Sequence, residues 1–317
     1  MKNKPILIVP GDPKSIFFEI FFKTLKKNKF RSPLILIASY KILNTQIKKF
    51  KFKKKIKLIK IKKLNKKRLN NDCINLINIQ IKKKNKLNNS NDYIRACFEM
   101  AFQILRTNYT NKFINGPINK SNYLKKRYLG ITEYVSKKFK INKIAMLIYN
   151  KEISVCPLTT HMPLKLVSKK ITQKLIFEKV ILINNFYNKV LGFKPKIAVT
   201  GLNPHCESIL KFNEDKKIIL PAVKSLRKKA YKIDGPFSAD TIFLKQNRSK
   251  YNVILGMYHD QVLSPIKTLK EYDAINITLG LPFLRISPDH GPNTKMINKN
   301  LSNPLSLIKA IKFLDTR

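Results

Sequence analysis

Short apolar runs alternate with longer amphipathic stretches along most of the chain. Runs that predict buried strands lie at residues 5–9, 33–38, 112–115, 145–149, 153–155, 196–200, 253–257 and 275–279. Apolar stripes with helical spacing lie at about 15–27, from about 91 onward, and at about 172–188. Strands and helices that alternate in this way predict an α/β protein with a largely parallel sheet. Such sheets bind ligands beyond the carboxyl ends of their strands.

One segment departs from this pattern. From about residue 45 to residue 91, lysine, asparagine and isoleucine dominate the sequence. Within this segment, residues 56–61 alternate between apolar and lysine positions and predict a strand. The remainder is predicted to be a solvated, variable segment that carries no chemistry.

The charge balance raises a nucleic-acid hypothesis that the composition weakens. The chain has 65 lysine and arginine residues against 18 aspartate and glutamate residues, which gives a formal net charge of +47. Most of the excess is lysine, whereas arginine is the residue suited to bidentate contacts with phosphate and guanine. Lysine also accompanies abundant asparagine, isoleucine, phenylalanine and tyrosine, all of which have A/T-rich codons. We therefore expect no specific nucleic-acid partner, and a basic nucleic-acid-binding protein is the alternative from a different class.

The length of the chain indicates the number of domains, and its cysteines indicate the cellular compartment. A chain of 317 residues suggests about two domains. The four cysteines have no paired spacing and are expected to be reduced thiols. The apolar run near the N-terminus is too short for a signal peptide, and no run approaches the roughly 18 apolar residues of a membrane span. These features predict a cytoplasmic protein with no membrane partner.

All four histidines of the chain, His161, His205, His259 and His290, lie in short, polar, turn-rich stretches of its second half. Imidazole is the commonest protein ligand for metal ions. Three imidazoles with nothing else bulky nearby leave open positions on an ion, as a catalytic metal requires. The first three, here called the histidine trio, are far apart in sequence, so only the fold can bring them together. Surface or capping roles are the alternative, and Asp260 either orients an imidazole or caps a helix.

A second group of candidates lies in a proline-bounded loop at residues 280–291. Arg285 is either half of a structural ion pair or a clamp for a carboxylate or phosphate group. Asp289, His290 and Gly291 follow it at the end of the loop. The loop is therefore a candidate site for an anionic ligand.

Three further polar residues are candidates for ligand contact. Lys267 and Asn276 are candidate partners of an anionic ligand, and Asp240 is a candidate polar contact. Residues 235–241 are predicted to open a helix, with Asp240 near its start. The chain contains no G-x-G-x-x-G fingerprint, no phosphate-binding P-loop and no G-x-S-x-G elbow. A standard dinucleotide fingerprint, a P-loop enzyme and a serine hydrolase are therefore unsupported.

Taken together, these stretches resemble the 4-hydroxythreonine-4-phosphate dehydrogenase family of vitamin B6 biosynthesis. The matching stretches are residues 159–163, 201–205, 235–243, 257–261 and 276–290. The sequence Asn-Ile-Thr-Leu-Gly-Leu-Pro-Phe at 276–283, followed by Arg285, is a specific signature. The resemblance extends nearly the full length of the chain and is strongest after residue 150.

The resemblance implies roles for individual residues. The family's metal-binding histidines fall on the histidine trio, and its substrate contacts fall on Thr132, Lys267, Asn276 and Arg285. The metal is implied to be one divalent ion per site, either zinc, cobalt or magnesium. NAD is implied as the second cofactor, bound in part by the loop at 289–291. Asp240 and Asp260 are expected to give polar support.

The resemblance also implies a fold, an assembly and a reaction. The fold is similar to that of isocitrate and isopropylmalate dehydrogenases, with the active site in the cleft between two domains. Residues 1–125 with about 265–317 are expected to form a terminal domain, and about 126–264 a central domain with the metal and dimer contacts. A homodimer with a shared active site is implied. Its reaction is the NAD-dependent oxidative decarboxylation of 4-phosphooxy-L-threonine to 3-amino-2-oxopropyl phosphate, a step of pyridoxal phosphate biosynthesis.

Two departures from the family pattern affect these expectations. Where the family has Gly-His-Thr-Glu, this chain has Gly-Ile-Thr-Glu at 130–133, so Ile131 replaces an imidazole that contacts substrate. The glycines that the family places after His205 are here Cys-Glu-Ser at 206–208. Weaker substrate binding is therefore expected. The same chemistry on another phosphorylated hydroxy acid, such as a four-carbon sugar-acid phosphate, is the alternative function.

Overall fold

The computed structural model describes residues 3–66, 69–80, 89–118, 130–207, 212–289, 291–297 and 299–317. The chain packs as two compact units, Met1–Ile131 with Pro282–Arg317 and Thr132–Leu281. The second unit ends beyond the position near residue 265 that the sequence suggested. The reason is that the helix at 259–270 and the strand at 275–279 pack against strands of the second unit.

The strands, in chain order, are β1 (Ile6–Val9), β2 (Leu34–Ala38), β3 (Ile56–Leu58), β4 (Ile74–Asn78), β5 (Lys112–Asn115), β6 (Ala145–Tyr149), β7 (Ser154–Pro157), β8 (Ile197–Thr200), β9 (Ile233–Phe237), β10 (Val253–Gly256), β11 (Ile275–Leu279) and β12 (Leu284–Pro288). The helices are α1 (Phe17–Lys27), α2 (Tyr40–Lys49), α3 (Asn89–Arg106), α4 (Ile131–Lys138), α5 (Val167–Lys170), α6 (Gln173–Phe186), α7 (Leu220–Lys228), α8 (Lys245–Arg248), α9 (His259–Lys270) and α10 (Leu305–Asp315).

In the first unit the strands lie in the order β3-β4-β2-β1-β5-β12, and each neighbouring pair is parallel. The run Ile6–Val9 and the run Leu34–Ala38 are buried at every position. Continuous apolar runs of this kind are typical of parallel strands that are covered on both faces. Because the strands are parallel, the loops that follow β1, β5 and β12 meet at one edge of the sheet.

In the second unit the order is β11-β6-β7-β10-β8-β9. β6 runs antiparallel to both of its neighbours, whereas β7, β10, β8 and β9 are parallel. A buried apolar cluster that includes Val155, Ala198 and Ile254 packs against Val262 and Ile266 of α9. The predicted α/β class with a largely parallel sheet is confirmed. Among the described residues, no helix has both the length and the apolar character needed to cross a membrane.

The lysine- and asparagine-rich segment contains a buried strand that the sequence analysis missed. β4 lies between β2 and β3, and its residues Ile74, Leu76 and Ile77 are buried. Asn75 is 1% exposed, and its Nδ2 donates to the carbonyls of Leu34 and Asn70. The prediction of a solvated segment was therefore wrong for the buried residues of β4. The backbone acceptors that satisfy the asparagine amide allow it to lie in the sheet.

The helix predicted at residues 235–241 was also wrong. Residues 233–237 form β9, and the peptide bond between Gly235 and Pro236 is cis. Gly235 has a φ of +132°, and a Cβ there would lie 2.4 Å from the carbonyl oxygen of Val199 on the neighbouring strand. The close approach of β8 and β9 therefore requires glycine, and Asp240 lies in the turn after the strand rather than at a helix start.

Candidate active site

The histidine trio follows three neighbouring parallel strands of the second unit. β10 lies between β7 and β8 and is in parallel register with both. His161 follows β7, His259 follows β10 and His205 follows β8. Because carboxyl ends of parallel strands meet at one edge, the topology places all three histidine loops side by side.

Two members of the trio lie close together. The ring centroids of His161 and His259 are 5.7 Å apart, and the rings are tilted by 41°. Two imidazoles that ligate one zinc ion at about 2.0–2.1 Å in tetrahedral geometry hold their ring centres roughly 5 Å apart. The spacing of this pair therefore fits a shared metal ion with little adjustment.

Asp260 contacts the imidazole of its neighbour His259. Its Oδ1 lies 2.6 Å from Nδ1 of His259, so Nδ1 faces the carboxylate and Nε2 is the ring nitrogen left for a ligand. The N-cap of α9 is Tyr258, and Asp260 lies in the first helical turn. Of the two roles considered for Asp260, the contact with His259 is the one present in the structure. The carboxylate side chain is 80% exposed, so this support is weakened by solvent.

A cleft lies beside His161. The described residues that line it are Thr132, Glu133, Ile144, Ala145, Met146, Thr160, His161 and Lys179. Glu133 Oε1 lies 3.6 Å from Nδ1 of His161 and 3.5 Å from the hydroxyl of Thr160. Lys179 of α6 donates to the carbonyl of Ile144 at 2.5 Å. The cleft thus combines hydroxyl groups, a carboxylate, an ammonium group and an imidazole.

His205 lies in a strained turn that a buried carboxylate supports. His205 and Cys206 have φ values of +54° and +59°, in the left-handed region that favours glycine. Asp215, which is 1% exposed, accepts from the backbone N–H of Leu202 at 2.7 Å and of Asn203 at 3.2 Å. Strain of this kind occurs at binding sites where surrounding contacts hold it in place. Asp215 was not predicted from the sequence, where its only signal is that of an acidic residue in a lysine-rich stretch.

The environment of the His205 turn affects two neighbouring groups. A hydrogen bond from Ser238 at 2.5 Å, with a smaller contribution from His205, lowers the pKa of Asp240. Asp240 is therefore an exposed carboxylate in electrostatic contact with the turn. Burial, and next the charge of Asp215, raise the pKa of the Cys206 thiol. A thiol held in its protonated form is a poor nucleophile, which argues against cysteine catalysis here.

The structure does not gather the whole trio into one ligand group. Within the described ranges of the single chain, no set of three His, Cys, Asp or Glu side chains is placed to hold a metal ion. His161 and His259 are brought together, and His205 lies on the adjacent loop. The three-histidine ligand set stays a prediction.

The predicted substrate contacts fall in different places. Thr132 is 6% exposed and lines the cleft beside His161. Lys267 lies in α9, the helix that begins with His259. Asn276 lies in β11 opposite Ile148 of β6. Its Oδ1 is buried and has no hydrogen-bond partner in the described part of the chain, which makes it an acceptor suited to a ligand.

Arg285 lies in the first unit. It belongs to β12, is fully buried, and its Nε donates to Oδ1 of Asn115 at 2.8 Å. The Nδ2 of Asn115 donates in turn to the carbonyl of Gly116 at 3.0 Å. Asn115 therefore orients the guanidinium group close to the carboxyl end of β5. Asn115 was not predicted from the sequence, because a strand-end asparagine is also a common turn residue.

The predicted cofactor loop follows β12 in the first unit. The backbone N–H of Asp289 donates to the Ser306 hydroxyl at 2.7 Å. Among the described residues, no atom lies within 4 Å of the position that a Cβ on Gly291 would take. Pro292 accepts from the backbone N–H of Ile16 at 3.3 Å, which joins this loop to the loop after β1. An open glycine beside a strand-end loop fits the approach of a dinucleotide. His290 lies outside the described residues.

Comparison with known proteins adds independent information. Residues 29–314 match the family model described as pyridoxal phosphate biosynthetic protein PdxA. The 4-hydroxythreonine-4-phosphate dehydrogenase of Sulfurihydrogenibium sp. (strain YO3AOP1) is 36% identical over 314 residues, which is 97% of this chain and 96% of that protein. The protein of the same name from Aquifex aeolicus (strain VF5) is 31% identical over 318 residues, which covers 99% and 98% of the two chains. The crystal structure of 4-hydroxythreonine-4-phosphate dehydrogenase from Klebsiella pneumoniae superposes with a TM-score of 0.83 at 26% identity, covering 98% of each chain.

Proposed function

The chain belongs to the family of the pyridoxal phosphate biosynthetic protein PdxA, and we propose that it is a metal- and NAD-dependent 4-hydroxythreonine-4-phosphate dehydrogenase. The dehydrogenase class and the role in pyridoxal phosphate biosynthesis follow from relatives of that name that match nearly the whole chain. The metal, the nicotinamide cofactor and the homodimer are the finer parts of the proposal.

One observation carries the metal part of the proposal. His161 and His259 follow two neighbouring parallel strands, and their rings are 5.7 Å apart beside a cleft that contains Thr132. We assign these two imidazoles, with His205 on the next loop, as ligands of one divalent ion. Zinc, cobalt and magnesium are the candidate ions, and imidazole ligands favour the first two.

The cofactors supply chemistry that the side chains lack. A divalent ion held by the trio would supply Lewis-acid polarisation of the substrate's hydroxyl and of the ketone derived from it, and NAD+ would supply the hydride acceptor. The protein supplies position. Asp260 faces Nδ1 of His259 and thereby leaves Nε2 as the ring nitrogen that would bind the ion. The loop at 289–291 is assigned to the dinucleotide, and Gly291 allows its close approach.

The assigned substrate contacts match the groups of 4-phosphooxy-L-threonine. This molecule carries a phosphate, a carboxylate, an ammonium group and a secondary hydroxyl. Lys267 and Arg285 are suited to the two anionic groups. The buried Oδ1 of Asn276 is a hydrogen-bond acceptor, so it is suited to the ammonium or the hydroxyl group of the substrate. Thr132 lines the cleft and is assigned as a further polar contact of the substrate.

Two further parts complete the proposal. The protein is a homodimer with a shared active site, and it is located in the cytoplasm. The family resemblance supports the dimer, and the cysteines support a reducing compartment because all four are free thiols. Mixed dimers provide the test of sharing. Chains with His259→Ala and chains with Arg285→Ala, each inactive alone, should regain part of the activity when mixed if one site draws on two subunits.

Ile131 supports a second candidate substrate. It is the first residue of α4, directly before Thr132 of the cleft, and it places an aliphatic group where the family has imidazole. Loss of a polar contact lowers discrimination in favour of the family substrate. The same chemistry on a four-carbon sugar-acid phosphate is therefore the alternative.

Substrate comparison separates the two candidates. NADH formation is measured at saturating NAD+ with added zinc, cobalt or magnesium, using each phosphorylated hydroxy acid in turn. A higher kcat/KM for 4-phosphooxy-L-threonine supports the first candidate. Turnover of the sugar-acid phosphate alone would select the alternative, and turnover of neither would reject both.

A further inference from the structure

A single peptide group joins the loops that carry His161 and His259. Met257 lies two positions before His259, and its N–H donates to Oε1 of Gln261 at 2.7 Å. Its carbonyl accepts from the backbone N–H of Thr159 at 3.2 Å and from the Thr159 hydroxyl at 2.8 Å. Thr159 lies two positions before His161. The Met257 peptide thus holds both histidine loops at a fixed separation.

The side chain of Gln261 extends this connection to the third histidine loop. Its Nε2 donates to the carbonyl of Gly201 at 2.8 Å, where the loop toward His205 begins. Its Oε1 also accepts from the Thr200 hydroxyl at 2.9 Å. Thr200 and Met257 are both fully buried, so water does not compete for these bonds. One amide group therefore links the ends of β8 and β10.

The packing at the end of β10 brings Gln261 of α9 close to the strand. A Cβ on Gly256 would lie 2.3 Å from Cγ1 of Val262 and 3.1 Å from Oε1 of Gln261. Glycine thereby lets the first turn of α9 lie directly over the strand end. Because both ends of the Gln261 amide are used, rotating it would leave buried polar groups unpaired on two loops.

We infer that Gln261 and Thr159 are positioning residues that hold the three histidine loops in one arrangement and so preorganise the metal site. The inference rests on the proposed function for the identity of the ligands. It goes beyond that proposal because both residues act through backbone groups of the loops. Groups that support metal ligands from behind typically change metal affinity by about 10–100-fold.

Three substitutions test this network, and one matched control is available. Gln261→Met keeps the length of the side chain but removes its donor and acceptor. Thr159→Val replaces the hydroxyl with a methyl group, and Thr159→Ser keeps the hydroxyl. The control is Asn150→Leu, which removes another buried amide of the second unit. Asn150 Oδ1 accepts from the N–H of Glu152 at 3.0 Å, and its Nδ2 donates to the carbonyl of Asp273.

The control lies away from the histidine loops. Asn150 directly follows β6, which runs antiparallel to β7. It therefore lies near the amino-terminal end of β7, whereas His161 follows the carboxyl end of that strand. Asn150→Leu is expected to lower thermal stability while leaving metal affinity within twofold of the unsubstituted protein. This separates a general loss of stability from a loss of ligand position.

Metal affinity and amide exchange are the two readouts. Zinc and cobalt affinities are measured on the full chain by competition with a chromophoric chelator. We expect at least about tenfold weaker binding for Gln261→Met, weaker binding for Thr159→Val, and affinity near that of the unsubstituted protein for Thr159→Ser. The Met257 amide, followed by hydrogen exchange without metal, should exchange at least about tenfold faster in Gln261→Met.

The outcomes distinguish failure of the inference from failure of the proposed function. Binding within twofold in both folded variants, Gln261→Met and Thr159→Val, would overturn the inference. If Gln261→Met does not fold, the contrast between Thr159→Val and Thr159→Ser decides. Absence of metal binding in the unsubstituted protein would refute the proposed metal site. In that case the inference would still be tested by hydrogen exchange. An exchange rate of the Met257 amide that is the same in Gln261→Met as in the unsubstituted protein would overturn it.

Discussion

The imidazole rings of His161 and His259 lie 5.7 Å apart at the ends of two neighbouring parallel strands. Their proximity follows from the sheet order, since β7 and β10 are hydrogen-bonded neighbours although far apart in sequence. The relationship explains why two short polar stretches that are remote in sequence lie side by side.

Removing either His259, whose ring lies close to His161, or His205 on the adjacent loop should abolish metal binding. His259→Ala and His205→Ala are each expected to weaken zinc or cobalt binding by more than the roughly 100-fold that loss of a supporting group costs. Activity should fall with it. Metal content after dialysis and kcat/KM provide the measurement. Thr268→Ala on the same helix is the control, because Thr268 is exposed and its hydroxyl donates to the carbonyl of Ser264 within the helix. Undiminished metal content in His205→Ala would remove that residue from the site.

Ile131→His should improve binding of the family substrate. A restored imidazole offers a charge-assisted hydrogen bond to an anionic substrate, and such a bond contributes about 1.5–3 kcal/mol. We expect the KM for 4-phosphooxy-L-threonine to fall about tenfold or more, with a smaller change in kcat. Steady-state kinetics on Ile131→His and on the control Ile131→Leu give the comparison. An unchanged KM in both variants would show that position 131 does not contact the substrate.

Stability at alkaline pH should reveal the buried lysine of β5. Lys112 is 2% exposed and donates to the Ser32 hydroxyl at 3.2 Å. Burial lowers the pKa of Lys112, and Asp315 partly opposes this. The folded chain therefore releases this proton at lower pH than the unfolded chain, so native stability rises with pH between the two pKa values.

The variant Lys112→Met removes that titration. Urea midpoints of both proteins are measured from neutral pH to pH 10.5, the ordinary pKa of lysine. The midpoint of the unsubstituted protein should rise relative to Lys112→Met as pH approaches 10.5, and the difference should be constant at lower pH. A difference that does not vary with pH would contradict the assignment.

A glycine substitution after α7 should stabilise the second unit. Ala230 has a φ of +60° two residues beyond the helix, and Tyr231 donates to the carbonyl of Leu226, as in a left-handed helix end. Ala230→Gly should raise the free energy of unfolding by about 1 kcal/mol. The reverse substitution, Gly192→Ala at a φ of +84°, should lower it by a similar amount, since no described atom lies within 4 Å of the added Cβ. Urea unfolding measures both, and destabilisation by Ala230→Gly would contradict the expectation.

The pattern of apolar runs predicted most of the sheet but not β4. Strands such as β1 and β2 are continuous apolar runs, so periodicity alone identifies them. β4 has a buried asparagine whose amide is satisfied by two backbone carbonyls from outside the strand. A local pattern does not contain those partners, and the lysine-rich surroundings suggested solvent instead.

The sequence indicated the residues of the candidate site but not the contacts that support them. The trio was predicted from its loop contexts and from the resemblance, and Thr132 from the resemblance alone. In the structure His161 and Thr132 line one cleft, and the rings of His161 and His259 are 5.7 Å apart. Gln261 lay within a matching stretch, yet its role depends on backbone groups of loops remote in sequence. Contacts of this kind leave no local signal. They appear only when the strand order is known.

The most direct test of the central claim is the stoichiometry of the reaction with 4-phosphooxy-L-threonine, NAD+ and a divalent ion. NADH is followed by absorbance and released carbon dioxide by isotope labelling of the substrate carboxylate. Equal amounts of NADH and carbon dioxide are expected, with neither formed after metal removal by a chelator. Substrate binding with no NADH formed under any of the three metals would contradict the claim.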